Sequence, residues 1–119
     1  MSVELVERAI RSYASSRDPE ALEELERACR EKLGCSLAKA LVERPRELRD
    51  YLLKINDRRG AEFVARELLI KPVARSLGME SQVELLTKLF MEYPEEFGSV
   101  IKKITASASQ RSAASENHL

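Results

Sequence analysis

The 119-residue chain has no tryptophan, one histidine, two cysteines, four glycines and four prolines. Each shortage removes a class of function. The single histidine, His118, sits at the extreme end. A Ser–His or Cys–His nucleophile therefore lacks an imidazole in the body of the chain. Cys29 and Cys35 have no second pair of ligands to complete a tetrahedral zinc site. In a chain expected to be cytoplasmic they read as reduced thiols, and Cys29, on an apolar helix face, reads as a small buried hydrophobe. The glycines stand alone at 34, 60, 78 and 98, so no glycine-rich loop cradles a phosphate. Adjacent carboxylates such as Glu23–Glu24 and Glu95–Glu96 fall in first turns of helices, where they complement the dipole. No catalytic, metal or cofactor-binding residue is assigned. An enzyme is the class this sequence least supports.

Long apolar runs are also missing. Nothing approaches the roughly 18 consecutive apolar residues of a membrane span. The opening MSVELVERAIRSY carries Glu4 and Glu7 and alternates charge with apolar residues, unlike a signal peptide. The expected compartment is the cytoplasm. Charge of one sign is missing too: Lys plus Arg equals Asp plus Glu, and the net charge is zero. Yet charged residues make up 34% of the chain, above the usual quarter or so. Exposed helix faces account for this, and ion-pair networks of a thermophilic kind would add to it.

What is present is helical spacing throughout, with almost no alternating β-branched runs. A first helix is expected over about Val3–Tyr13, with Val3, Val6, Ile10 and Tyr13 on one face. Asp18 caps a second, Pro19 opens it, and Gly34 closes it after Leu22, Leu25, Cys29 and Leu33. Ser36 caps a short third helix, ended by Pro45. Pro45 opens the fourth, where Leu48, Tyr51, Leu52 and Ile55 form one stripe. "NDRRG" reads as a turn. A fifth helix from near Ala61 carries Phe63, Val64, Leu68 and Leu69, and Pro72 either kinks or splits it before Gly78. Ser81 and Glu84 form a capping box for a sixth, with Val83, Leu86, Leu89, Phe90 and Tyr93. Pro94 opens a seventh with Phe97, Val100, Ile101 and Ile104. From 106 to 119 no apolar side chain larger than alanine appears before Leu119, which reads as a disordered tail. The expectation is one all-α domain over 1–105, a compact bundle of six or seven helices.

Parts of this text occur twice. At an offset of 49, ERPRELRDYLLKI (43–55) and EYPEEFGSVIKKI (92–104) share Glu43/Glu92, Pro45/Pro94, Glu47/Glu96, Lys54/Lys103 and Ile55/Ile104. Upstream, 21–34 and 65–78 match at an offset of 44, both ending Leu-Gly. A duplicated three-helix unit behind an added N-terminal helix accounts for this. Independent recurrence of the same stop-and-start chemistry accounts for it equally.

One segment departs from neutrality. Residues 35–78 hold ten basic and six acidic residues. Lys54, Arg58, Arg59, Arg66, Lys71 and Arg75 concentrate there and are the candidate contacts for phosphates or a partner. Glu62 and Glu67 stand four residues before Arg66 and Lys71, so a solvated, ion-paired helix face is the simpler account.

The stretch 21–78 resembles a small archaeal all-helical family, the nitrosopumilus output domain of the fifth type. The residues that carry the likeness are Leu33-Gly34, Arg44-Pro45-Arg46-Glu47-Leu48, Gly60-Ala61 and Leu77-Gly78. Asn56-Asp57-Arg58-Arg59 replaces the Phe-Gly of that pattern, and Pro72 is foreign to it. The resemblance implies a signal-output or adaptor module with no catalytic residues. The expected function is a non-catalytic protein–protein interaction or regulatory module. Its partner would be an unknown protein or a second copy in a homodimer. The alternative is a nucleic-acid-associated protein using the basic 54–75 region.

Overall fold

The stops and starts of the helices follow the punctuation in the text. The computed structural model describes the backbone of residues 2–17 and 19–117 and the side chains of 3–13 and 19–108. Asp18, His118 and Leu119 lie outside the described residues, so the expected cap at Asp18 does too. The helices are α1 (Ser2–Arg17), α2 (Pro19–Ala28), α3 (Leu37–Glu43), α4 (Pro45–Ile55), α5 (Arg58–Val64), α6 (Lys71–Ser76), α7 (Val83–Glu92) and α8 (Pro94–Asn117). Wider π-turns, Cys29–Leu33 and Ala65–Ile70, extend α2 and join α5 to α6. The described chain thus forms seven helical rods, an all-α bundle without strands.

Each boundary has a local cause. Gly34 and Gly78 take φ of 72° and 69°, the left-handed region that glycine enters at no steric cost. At Gly78 the motif is complete: Met79 N–H donates to the Ala74 carbonyl at 2.7 Å and Gly78 N–H to Arg75 at 3.2 Å. The Ser36 hydroxyl accepts from Lys39 N–H at 3.2 Å and caps α3. Glu26 on α2 adds a second acceptor for α3, taking Leu37 N–H at 3.2 Å. From the far end of α3, Arg44 donates to the Leu33 carbonyl at 2.8 Å. Both ends of α3 are thereby tied to α2.

Pro45 and Pro94 produce nearly the same joint. The preceding residues, Arg44 and Tyr93, adopt φ/ψ of −133°/51° and −135°/65°. The proline ring forces its predecessor out of helical geometry, then starts the next helix where no N–H is needed. Behind these joints lie Leu41 and Leu48 in the first hairpin, and Phe90 and Phe97 in the second, all fully buried. The two phenylalanines meet edge to face, centroids 5.3 Å apart. The hairpins α3–α4 and α7–α8 also pack on each other. Gly98 lies against Val42 and Pro45, Arg49 donates to the Met91 carbonyl at 3.2 Å, and Arg46 pairs with Glu95. Shifting by 49 exchanges position 49 with 98, 42 with 91 and 46 with 95. Such an exchange of partners is what an approximate twofold between the hairpins produces.

Several expectations are corrected. Arg58, Arg59 and Gly60 are not a turn but the first turn of α5, because the Asp57 carboxylate accepts Gly60 N–H at 2.7 Å and caps the helix three residues early. The buried residues of this rod are Ala61, Ala65, Leu69, Ile70, Pro72, Val73 and Ala74, and among them Ala61, Ala65, Leu69 and Val73 recur at a spacing of four. Phe63 is outside, while Val64 and Leu68 are half-buried. Small alanines let the backbone approach its neighbours, and this decides the face. Pro72 neither splits nor stops the rod. The π-turn before it moves the Lys71 N–H bond to the Arg66 carbonyl, five residues back, which widens the helix where the ring must fit. The Ser81–Glu84 capping box does not form. A 3-10 turn, Glu80–Gln82, leads into α7 instead, with Gln82 N–H donating to the Met79 carbonyl. Ile55 and Tyr93, assigned to apolar stripes, are exposed.

The backbone of α8 runs helically through 106–117, the segment whose composition reads as a tail. Alanine, serine, glutamine and arginine tolerate a helix extended from an existing end, where no new nucleus is required. We expect the domain to be complete at 105. Deleting 106–119 should move the thermal midpoint by no more than about 2 °C, since surface changes are close to neutral. A drop several times larger would show that this segment carries packing.

Candidate interaction surface

The most distinctive exposed feature is on α7. Val83, Leu86, Thr87, Phe90 and Met91 face inward. Thr87 reaches this position by donating its hydroxyl to the Val83 carbonyl at 2.8 Å, so no polar group is left unsatisfied. Leu85, Leu89 and Tyr93 remain, four residues apart, which places them in one row along the helix. Leu85 and Tyr93 are each 55% exposed and Leu89 is half-buried between them. Glu84, Lys88 and Glu92 are exposed alongside. The result is an apolar ridge about two turns long, ending at the C-cap residue Tyr93, with alternating charge on its flank.

A second apolar feature is a furrow of about 230 Å³ between α2, α4 and α5. Its walls include Leu25, Tyr51, Ile55, Val64 and Leu68. Ile55 is 57% exposed at its mouth, and Phe63, elsewhere on α5, is 59% exposed. Scattered exposed apolar residues are ordinary. A continuous ridge on one helix is less so.

The basic residues named from the sequence do not converge. Arg66 and Lys71 both turn to Glu67, at 3.4 and 3.2 Å, and Arg66 also approaches Glu62 at 4.0 Å. Arg58 reaches Glu92 of α7 at 3.9 Å. Lys54 and Arg59 are exposed. Arg75 lies some 17 residues beyond Arg58 along a continuous rod, about 25 Å away at the helical rise, with its guanidinium over the Tyr13 ring. Three of the six are paired with carboxylates, and of the rest Lys54 lies on α4 while Arg59 and Arg75 stand at opposite ends of the rod. This arrangement is a solvated helix face rather than a phosphate track.

Cys29 and Cys35 are both free thiols. Burial, with smaller contributions from Cys35 and Glu26, pushes the Cys29 thiol up from an ordinary value near 9 to about 12. It is inert at neutral pH, because the thiolate is the reactive form. An alkylating reagent should therefore label Cys35 in the native protein and Cys29 only on unfolding. The raised value also has a sign for stability. Below pH 9 the thiol is protonated in both states and the contribution is complete. Between about 9 and 12 only the unfolded chain ionises, so stability falls across that window.

Among the described residues no group of three His, Cys, Asp or Glu is placed to hold a metal ion. No described helix is long and apolar enough to cross a membrane. Comparison with protein-family models, with curated proteins and with solved structures finds no match to this chain. The surfaces must be read from their own chemistry.

Sequence reasoning passed over the α7 ridge. The signal was there: Leu85-Leu86 and Leu89-Phe90 are adjacent apolar pairs, and one helix face takes only one member of each.

Proposed function

We propose that this protein is a non-catalytic interaction module, and that its contact surface is the outer ridge of α7. The observation that carries this reading is the row Leu85–Leu89–Tyr93, exposed at both ends and half-buried at Leu89, on a helix whose opposite face is fully packed. Uncovered apolar side chains at a spacing of four suit the apolar face of another helix, supplied by a partner protein or by a second copy of the chain. Tyrosine at one end favours such a role, since its ring buries area and its hydroxyl tolerates a wet rim. The pairing of Arg66 and Lys71 with Glu67 weighs against the nucleic-acid alternative. The likeness of 21–78 to an archaeal output domain is in keeping with an adaptor role.

The test is a double substitution, Leu85→Asp with Tyr93→Asp. Both residues are exposed, so the thermal midpoint should barely change. Sedimentation equilibrium would then compare wild type and variant. A wild-type dimer that becomes a monomer identifies self-association through α7. If wild type is monomeric, the two proteins would be immobilised and exposed to native lysate. A partner held by wild type and lost from the variant supports the ridge. Equal retention by both removes it.

A further inference from the structure

A cleft of about 640 Å³ opens between α1 and α6, with Ala108 of α8 in its lining. It lies away from the α7 ridge, and its chemistry is different. Every charged group in its lining is a cation: Arg8 from α1 and Arg75 from α6. The apolar part of the lining is Leu5, Ala9, Pro72 and Leu77, with Ser12, Tyr13 and Ser76 beside it.

The two arginines are held in different ways. Arg75 lies over the Tyr13 ring, its Cζ 5.9 Å from the ring centroid. This is cation–π distance, near the outer limit of about 6 Å for such a contact. Arg8 projects from α1 one turn before Ser12, which also lines the cleft. Glu4 stands one turn before Arg8 but outside the lining. Elsewhere on this protein, arginines such as Arg11, Arg46, Arg49 and Arg66 have carboxylates within 4.0 Å. On a chain with zero net charge and 20 carboxylates, two cations sharing one cleft with no carboxylate in its described lining form a local positive site.

We propose that this cleft binds a phosphate monoester with an apolar or aromatic body. Two guanidiniums match a phosphate dianion, whereas a carboxylate would balance only one of them. Arginine also takes phosphate oxygens in pairs through its planar fork. The apolar side chains in the lining are the reason the ligand is an ester rather than free phosphate. The volume falls within the range of small-molecule sites, roughly 300 to 1,000 Å³. Because the cleft is open and both arginines are exposed, the affinity is modest.

Phenyl phosphate is a suitable probe, followed by amide chemical shifts in isotope-labelled protein. Saturable shifts on α1 and α6 are expected, with a dissociation constant of about 1 mM or tighter. Arg75→Gln and Arg8→Gln, made separately, should each weaken binding by about tenfold or more, the usual effect of losing a hydrogen bond to a charged group. Arg59→Gln, exposed on α5, should change nothing. Circular dichroism would confirm that all three variants fold, and either cleft variant suffices if the other does not. Inorganic phosphate and benzoate should both bind more weakly than phenyl phosphate. The proposal is overturned if no saturable binding appears, or if binding survives both cleft substitutions. Benzoate binding as tightly would remove the phosphate assignment. Inorganic phosphate binding as tightly would remove the apolar body.

Discussion

Phe97→Ala is expected to be the most damaging single change in the protein, costing about 3–5 kcal/mol. Phe97 is completely buried one turn into α8 and meets Phe90 of α7 edge to face across the Pro94 joint. Its removal leaves a cavity that cannot easily collapse. The backbone on one side is fixed by Pro94, and Tyr93 N–H is bonded to the Leu89 carbonyl at 2.7 Å. Phe90→Ala should cost a similar amount. Part of each loss is shared, because an aromatic pair contributes about 0.5–1.5 kcal/mol beyond burial. The double variant should therefore cost less than the two singles combined. Urea unfolding followed by circular dichroism gives the values. Small domains have only about 5–15 kcal/mol in total, so each alanine variant loses a large share of it; Phe90→Leu and Phe97→Leu provide a milder series. A cost below about 1 kcal/mol for Phe97→Ala would mean that this joint is not packed as described.

The fold was largely legible because its boundaries are set by local sterics. Gly34, Pro45, Gly78 and Pro94 each impose a backbone geometry that does not depend on distant contacts, and each stands where expected. Legibility failed where the decision is tertiary. Ala61 and Ala65 read as helix formers of no particular face, yet they are the buried side of α5. Phe63 reads as core and is outside, because hydrophobicity does not say which neighbour will arrive. The π-turns were invisible, since no residue type demands them. The basic region shows the same division. The pairing of Arg66 with Glu62 and of Lys71 with Glu67 follows from a spacing of four, and the structure places both pairs together. The contacts of Arg58 with Glu92 and of Arg75 with Tyr13 join distant segments and left no trace in the text. The cleft and the ridge are of this second kind. Each is assembled from residues unremarkable in sequence, and only the packing of α1 against α6, or the orientation of α7, gives them a shared surface.

Leu52 and Ile101 provide the second large effect, and they test whether the two hairpins are copies of one unit. They occupy equivalent places at the offset of 49, on α4 and α8, and both are buried. Truncation of either to alanine should cost about 2–5 kcal/mol. The duplication reading requires more than two large numbers. It requires that the sites answer alike, because each side chain would sit one turn beyond an equivalent core residue, Leu48 or Phe97, on a helix opened by an equivalent proline. The twofold exchange of neighbours supports that reading: position 98 lies against 42 and 45 while position 49 reaches 91. One difference is built in. Position 49 carries an arginine, whereas a Cβ on Gly98 would stand 3.3 Å from the Pro45 ring and 3.4 Å from the Val42 carbonyl. The second hairpin is therefore pressed closer to the first at that point, and Ile101 has less room to relax around a cavity. Ile101→Ala should accordingly cost as much as Leu52→Ala or slightly more, by denaturant unfolding of both variants. If Leu52→Ala is severe and Ile101→Ala nearly neutral, the hairpins are not energetic equivalents. Their shared Pro joints would then reflect the common chemistry of ending one helix and starting another.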